Sequence, residues 1–570
     1  MSAVILDEIH ERSLEADLAL ALCLDAQAML RPDLRLLAMS ATLDGARLSA
    51  IMNAPIVESA GRLHPVEVRH AARDISTARD LPEAMARTIR AALAEAPGDV
   101  LAFLPGMGEI RRTESNLDGL GATVLPLHGD LPPSAQDLAL RPAEGRRVVL
   151  ATAIAETSLT VPGVRIVIDG GFRRAPRFDP ASGLTRLATE RVSRAAADQR
   201  AGRAGREAPG LAIRLWTEAA QRGLRAYDRP EILDAELSGL LLDCAAWGTP
   251  PGKLAFPDAP PEGPLAAANA LLTDLGAMNE AGDITPLGKR MSMLGAHPRL
   301  AAMMLAVEEG GRAARACDIA ALLEGRDPLR AGPETPADIM GRLEALADPA
   351  TAMAHGADRN AIHGIRQAAR QYRTRLGIGA ERAAAGDPAP MIAAAFPDRL
   401  AQRRSEPGSF RLSGGGGARL AVTDPLAKAS FLAVGALEMK TSPLIRMAAP
   451  LHIADLPAVL AARIKETVET SLDPVSGSVL ARRRKRLGAL VLEESAAPPD
   501  AADAVTVLLE AVRSDPSRLP WTEAARNLQA RLRLMHGLEA EIWPASDDES
   551  LIASLEDWLG PHLQGLTRLG

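Results

Sequence analysis

The chain has 570 residues, enough for about three to five domains. Its 65 Lys and Arg against 72 Asp and Glu give a formal charge of −7, which excludes a uniformly basic nucleic-acid coat and a strongly acidic disordered tail. Aromatic residues are only 2%, which argues against stacking bases on an aromatic platform, and any grip on nucleic acid must rest on backbone amides, Arg and Lys. Cys23, Cys244 and Cys317 are far apart, odd in number and without metal-ligand spacing, a pattern that points to a reducing cytoplasm, and no apolar run reaches the length of a membrane span.

Val4-Ile5-Leu6 is a short apolar run of the kind that forms a buried parallel strand. Asp7-Glu8-Ile9-His10-Glu11-Arg12-Ser13 follows at once. In parallel α/β sheets ligands sit outside the carboxyl ends of the strands. Of two acids at such a place, one can hold Mg²⁺ and the other can orient or deprotonate an attacking water. Taken alone, the segment reads equally as a solvated turn with Ser13 capping a helix over Leu14–Leu30. A second strand, Leu36–Met39, ends in Ser40-Ala41-Thr42, whose hydroxyls are placed to hydrogen-bond the first strand's carboxylates.

Further strands are expected at Val100–Leu104, Thr123–Leu127, Val148–Ala151, Arg165–Ile168 and Leu211–Leu215, alternating with helical segments. Val148–Ala151 leads into Thr152-Ala153-Ile154-Ala155-Glu156-Thr157-Ser158-Leu159-Thr160. Later comes Gln199-Arg200-Ala201-Gly202-Arg203-Ala204-Gly205-Arg206. Arg203 and Arg206 are spaced i, i+3 and share a helical face, from which two guanidiniums can grip a triphosphate.

These four segments, in this order, resemble motifs II, III, V and VI of the DEAH-type superfamily 2 helicases. The part after residue 260 resembles the bacterial HrpB-type members, so the resemblance covers essentially the whole chain. It implies an α/β fold of RecA-like parallel sheets, followed by winged-helix, helical-bundle (ratchet) and OB-like or mixed C-terminal domains. Residues 1–65 read as the C-terminal part of a first RecA-like domain, and residues 66–225 as a complete second one. Residues 226–262 read as a winged helix ending in the linker-like Phe256–Pro261, 263–375 as the helical bundle, and 376–570 as an OB-like part plus a helical tail.

Within that frame Phe103-Leu104-Pro105-Gly106 resembles motif IV, and Leu127-His128-Gly129 a loop that touches the nucleic-acid backbone. His128 reads equally as a half-exposed loop histidine. Phe172–Leu187 carries a Pro-Ala-Ser-Gly turn signal between two strand-like runs and matches the family's strand-separating hairpin, lined by Arg173, Arg174, Arg177 and Arg186. Leu265–Met278 has a helical apolar face, and Thr285-Pro286 opens a further helix with Thr285 as cap. The Gly414–Gly417 cluster reads as a hairpin tip, and the basic run Arg482–Arg486 as a solvated face or a nucleic-acid contact. Helical patterns recur at Trp521–Leu534 and Leu551–Leu559.

The resemblance implies an ATP-dependent helicase acting on RNA or another single-stranded nucleic acid, with ATP and Mg²⁺ as cofactors. Asp7 would hold Mg²⁺ through water, Glu8 would activate the hydrolytic water, and His10 would bridge to the partner lobe. Gln199, Arg203 and Arg206 would reach the γ-phosphate, and Ser40 and Thr42 would couple hydrolysis to motion. Thr152, Thr157, Ser158, His128, Gly129, Arg173, Arg174 and Arg177 would contact the nucleic acid. The family's phosphate loop, GxxxxGK[ST], is absent: Leu254 follows Gly252-Lys253 and Arg290 follows Gly288-Lys289. The expectation is an N-terminally truncated chain, a fragment or one with a misplaced start. The alternative reading is a non-hydrolysing nucleic-acid-binding module, because Lys and the backbone amides that cradle phosphates are missing.

Overall fold

The computed structural model describes residues 2–569 apart from 41–44, 60–63, 76, 130, 132, 157–158, 180–183, 308–309, 330–334, 380–382 and 439–441. The chain divides into two compact units, one of residues 1–330 and 343–386 with 438–441, the other of residues 331–342, 387–437 and 442–570.

In the first unit β1 (Ala3–Leu6) pairs in parallel with β2 (Arg35–Ala38), and α1 (Leu14–Met29) connects them. Ser13 caps α1 as expected, its hydroxyl accepting from the Ala16 N–H at 3.2 Å. After α2 (Gly45–Met52) the chain builds a second sheet in alternating units. These are β3 (Val66–His70), α3 (Leu81–Glu95), β4 (Asp99–Phe103), α4 (Met107–Ser115), β5 (Thr123–Leu127), α5 (Pro133–Leu140), β6 (Arg147–Ala151) and β7 (Val164–Asp169). A hairpin, β8 (Phe172–Asp179) and β9 (Leu184–Arg191), precedes α6 (Arg194–Gly202), β10 (Gly210–Arg214) and α7 (Glu218–Gly223).

The sheet has six strands in the order β3-β10-β7-β4-β6-β5, and every adjacent pair is parallel. The middles of its central strands are apolar because both faces are covered, with charged residues such as Asp99, Arg147 and Asp169 at the strand ends. Val100, Ala102 and Leu150 pack on one side with Leu81, Met85 and Ile89 of α3. Leu101, Phe103 and Val149 point to the other side and meet Ala201 and Ala204. That alternation within one run is the two-residue period of a strand. The five strands expected from the sequence all form, with ends shifted by no more than one residue.

Helices then dominate: α8 (Ser238–Trp247), α9 (Glu262–Asp274), α10 (Pro286–Leu294), α11 (Pro298–Leu305), α12 (Gly310–Glu324), α13 (Met340–Ala347), α14 (Pro349–Ala354) and α15 (Arg359–Arg375). Leu240 and Cys244 of α8 share one core with Ala268 of α9, and Phe256 packs against it, so a single core crosses residue 262. The helix expected over Leu265–Met278 starts earlier, at Glu262, and ends at Asp274: Gly276 takes φ +71°, and Met278 forms a β-bridge with Ile284. Thr285 caps α10 as expected, accepting from the Gly288 N–H at 3.0 Å.

The second unit contains α16 (Pro388–Ala395) and a closed five-stranded barrel. Its strands are β11 (Leu400–Arg403), β12 (Ser409–Leu412), β13 (Gly417–Arg419), β14 (Phe431–Glu438) and β15 (Leu444–Pro450), in the order β11-β12-β13-β15-β14. The β13–β15 pairing is parallel. Phe410, Leu432 and Val434 fill its interior. The glycine cluster turns β12 into β13, with Gly415 at φ +101°. After the short α17 (Ala458–Ala461), a three-stranded antiparallel sheet follows, β16 (Lys465–Leu472), β17 (Val479–Leu487) and β18 (Leu490–Ala497). The tail holds α18 (Ala501–Ser514) and α19 (Glu523–Leu538), while the stretch 551–559 is broken into two short helical turns at Ser554. Among the described residues no helix is long and apolar enough to cross a membrane.

Burial pushes the Cys244 and Cys317 thiols up to about 12. In the folded chain at about pH 8, N-ethylmaleimide should therefore label neither of them, whereas the urea-unfolded chain takes up three equivalents by intact mass. Native labelling at Cys244 or Cys317 would contradict this packing.

Candidate functional site

Asp7 and Glu8 leave the carboxyl end of β1 on a tight turn. Glu8 and Arg12 both adopt left-handed backbone, at φ 51° and 54°, and bracket the single 3₁₀ turn Ile9–Glu11. Each such residue costs on the order of 1–3 kcal/mol and persists only where its surroundings enforce it. Ile9 is one enforcement: it is fully buried, and its N–H donates to the Met39 carbonyl at 3.1 Å. Met39 in turn donates to Leu6, which ties the acidic turn to the strand end that carries Ser40.

Arg12 is the other enforcement. Its guanidinium donates to both oxygens of Asp17, at 3.1 and 2.9 Å, and to Asp258 at 2.6 Å. Arg47 also reaches Asp258, at 2.8 Å. Asp17 is fully buried, and burial drives its carboxyl above the usual range against the pull of Arg12. Glu231 closes the same corner: it accepts from the Leu14 N–H, and its own N–H donates to the Arg12 carbonyl. The sequence reading missed this network. Its only local signal is the i, i+5 pair Arg12 and Asp17.

His10 turns into the interior with its side chain 8% exposed. The Gln199 amide lies 3.2 Å from His10 Nε2, and Glu8 lies 3.4 Å from His10 Nδ1. With the Gln199 amide N–H donating, Nε2 accepts and Nδ1 keeps its proton toward the Glu8 carboxylate. Two motifs separated by 189 residues thereby touch. Asp7 is exposed, and one of its oxygens accepts from the Glu8 N–H at 2.9 Å.

The helix α6 ends at Gly202, so Arg203 and Arg206 stand on a following 3₁₀ turn rather than on one helical face, and both donate to residues of the segment after β6. Arg203 is buried and donates to the Glu156 carbonyl at 3.0 Å and the Leu159 carbonyl at 2.9 Å. Burial and the like charge of Arg206 lower its pKa to about 10, and the carboxylate of Glu8 opposes that fall. It stays protonated at neutral pH. Arg206 is exposed and donates to Thr160 Oγ1 at 2.7 Å. Three residues before Arg203, Arg200 is 1% exposed, paired with Glu156 at 3.0 Å and Asp169 at 2.8 Å, and its guanidinium lies 4.8 Å from the centre of the Phe103 ring. Sequence reasoning passed over Arg200, although it is the residue that fixes α6 to the sheet.

The Leu127-His128-Gly129 loop and Thr152 lie at the carboxyl ends of the adjacent strands β5 and β6, joined by the Thr152 N–H donating to the Leu127 carbonyl at 3.3 Å. Gly129 is exposed and His128 half-buried. Ser40 is exposed at the end of β2. Thr42, Thr157, Ser158 and the turn 180–183 lie outside the described residues.

The hairpin arginines are used differently from one another. Arg173 pairs with Glu190 at 3.0 Å and Asp228 at 2.7 Å, and Arg177 with Glu190 at 2.6 Å and with Asp234. Both are engaged in fixing the hairpin base, whereas the sequence offered them, with Arg174, as nucleic-acid contacts. Arg174 is 45% exposed, 3.7 Å from Glu109, and lies over Gly106, where a Cβ would come within 2.8 Å of its guanidinium carbon. The basic run in β17 is neutralised across the sheet: Arg482 and Arg484 meet Glu494, Arg483 meets Glu466, Lys485 meets Glu493, and Arg486 meets Glu469. The run is salt-bridged on both faces of the sheet.

Residues 82–208 match the model of the helicase conserved C-terminal domain, and residues 270–295 that of the helicase-associated winged-helix domain (HA2). The second match covers the end of α9, the Met278–Ile284 bridge and α10, inside the segment 263–375 read above as helical bundle. ATP-dependent RNA helicase HrpB of Escherichia coli is 40% identical over 579 aligned positions, which take in 99% of this chain and 69% of that protein. The chain belongs to the HrpB family of ATP-dependent RNA helicases. Crystal structures of E. coli HrpB match 100% of this HrpB-family chain at 38% identity, with TM-scores of 0.75 and 0.77, and 69% and 71% of those chains are covered. ATP-dependent RNA helicase HrpA of E. coli is 39% identical over 57% of this chain and 26% of its own length. A Schizosaccharomyces pombe pre-mRNA-splicing RNA helicase is 37% identical over 56% of this chain and 28% of its own length.

Removing the Arg200 charge leaves Glu156 and Asp169 buried without their partner. Arg200→Ala should cost about 3–5 kcal/mol in urea unfolding, whereas the exposed Arg206→Ala should stay within about 0.5 kcal/mol of the parent chain. Equal midpoints for the two variants would contradict the assignment of Arg200 to structure.

Proposed function

We propose that these 570 residues supply the hydrolysis and coupling part of an ATP-driven RNA helicase. The observation that carries the reading is the His10–Gln199 contact of 3.2 Å, which joins the acidic turn after β1 to the arginine-bearing helix α6. Asp7 and Glu8 divide the work. Glu8 takes the proton of the water that attacks the γ-phosphate, and His10 holds it in place through Nδ1. Arg206 offers an exposed guanidinium for charge that develops on the phosphoryl oxygens, and Gln199 and Arg203 complete that side.

Mg²⁺ fits as an ion that arrives with the nucleotide. Among the described residues no three His, Cys, Asp or Glu side chains cluster to hold a metal by themselves. A single exposed carboxylate suits an ion that keeps several waters and takes further oxygens from phosphates. Asp7 is the residue to hold it, through water, and the ion would neutralise charge on the β- and γ-phosphates. Thr152, Thr157, Ser158, His128, Gly129 and Arg174 are proposed to contact the RNA backbone, and Ser40 and Thr42 to relay the state of the acidic turn. Arg173 and Arg177 act at one remove, by holding the hairpin that presents Arg174. Recognition of backbone without base readout accords with the 2% aromatic content.

No GxxxxGK[ST] loop occurs in the 570 residues. The 570-residue polypeptide should therefore bind single-stranded RNA without RNA-stimulated ATP turnover. Fused behind the phosphate-loop segment of a family member, it should turn over ATP, and Glu8→Gln should lower that rate about 100-fold or more. Stimulated hydrolysis by the unfused polypeptide that disappears in Glu8→Gln would overturn the requirement for the loop. Unchanged hydrolysis by the fused Glu8→Gln chain would overturn the role of Glu8.

A further inference from the structure

Clusters of arginine in this chain are matched by carboxylates in the hairpin base, at the Arg200 site and along β17. A cleft between α12 and α15 breaks that pattern. Four arginines, Arg315 from α12 and Arg366, Arg370 and Arg373 from α15, line one cavity of about 520 Å³ together with a single carboxylate, Asp318. Leu346 and Pro349 line the same space. The three α15 positions are spaced i, i+4 and i+7, so they fall on one face of the helix.

The charges do not cancel. Arg373 pairs with Asp318 at 2.6 Å. Arg315, Arg366 and Arg370 make no ion pair among the described residues. Arg366 donates its Nε to the Leu346 carbonyl at 2.8 Å, which fixes the stem and leaves its terminal nitrogens for another acceptor. Arg315 donates one terminal nitrogen to the Ala384 carbonyl at 3.3 Å, and its buried Nε has no hydrogen-bond partner. A buried guanidinium N–H without an acceptor is unfavourable, and an anion in the cavity supplies one.

We propose that this cleft binds a small oligophosphate anion. Planar guanidiniums pair bidentately with phosphoryl oxygens, and three without an ion pair, set around the single lining carboxylate Asp318, match a ligand carrying several negative charges. The volume lies within the range of small-ligand sites. Arg366 to Arg373 spans roughly 10 Å of helix, the scale of two or three linked phosphoryl groups. A nucleic-acid strand would instead call for cations continuing along a track beyond the cavity. The cleft is separate from the acidic turn and from Arg203 and Arg206, so the assignment is independent of the proposed helicase chemistry.

Titration calorimetry of the full 570-residue chain with inorganic tripolyphosphate should give one saturable site. Arg366→Gln combined with Arg370→Gln should weaken binding by about tenfold or more, while Arg482→Gln, in the salt-bridged sheet, should not. Thermal unfolding of the double variant controls for folding. The parent chain gives a second reading without any substitution: tripolyphosphate should protect Arg366 and Arg370 from phenylglyoxal, followed by peptide mass. Absence of saturable binding, undiminished binding by the double variant, or absence of protection would overturn the proposal. So would stronger protection by a 5′-hydroxyl single-stranded oligoribonucleotide than by tripolyphosphate at equal phosphate concentration, because that outcome assigns the cleft to the strand.

Discussion

Arg12 donates into buried Asp17 and into Asp258, and this forked ion pair holds the residue in the left-handed conformation that closes the acidic turn after β1. The turn could not keep two left-handed residues on local preference alone, because each is disfavoured for a side chain with a Cβ. Ile9 packs beneath it and Arg12 pins its end, so Asp7 and Glu8 are presented at the strand terminus at a fixed angle. Everything proposed for the site depends on that angle. His10 meets Gln199 only because the 3₁₀ turn between Glu8 and Arg12 directs its ring inward.

The same device recurs in the arginine-rich loop. Arg200 is sunk between Glu156 and Asp169 and fixes α6 against the sheet, which lets Arg203 grip the backbone at residues 156 and 159 and leaves Arg206 outside. A buried pair of this kind adds little net stability over an apolar replacement, but breaking it is costly, so its effect is to hold one geometry. Three arginines in seven residues thus take three separate tasks: one anchors the helix, one ties down the neighbouring loop, and one faces solvent with its charge available.

Charge in this chain is organised by pairing more than by patch. The β17 run lies opposite glutamates on both flanking strands, and two of the hairpin arginines close on Glu190. Exposed pairs of this sort contribute little to stability individually and are screened by salt. Their consequence is that the densest basic runs of the sequence carry little free charge. The overall charge of −7 is compatible with nucleic-acid work because contact falls to local loops such as the one bearing Arg174.

Much of the architecture was legible before any coordinates. The apolar runs at β4, β6 and β7, the caps Ser13 and Thr285, the glycine turn between β12 and β13, and the order of the four motifs all follow from rules that act within a few residues. The acidic turn and the arginine loop were likewise identifiable by type and spacing. What only the tertiary structure decided is which charges are spent. Arg12 finds Asp258 across 246 residues, Arg177 finds Asp234 across 57, and Arg315 faces Arg366 across a cleft in which carboxylates are outnumbered. Nothing local distinguishes these arginines from one another, because hydrophobic period and capping act between chain neighbours, whereas an ion pair depends on a distance of a few ångströms that is set only when the whole unit packs.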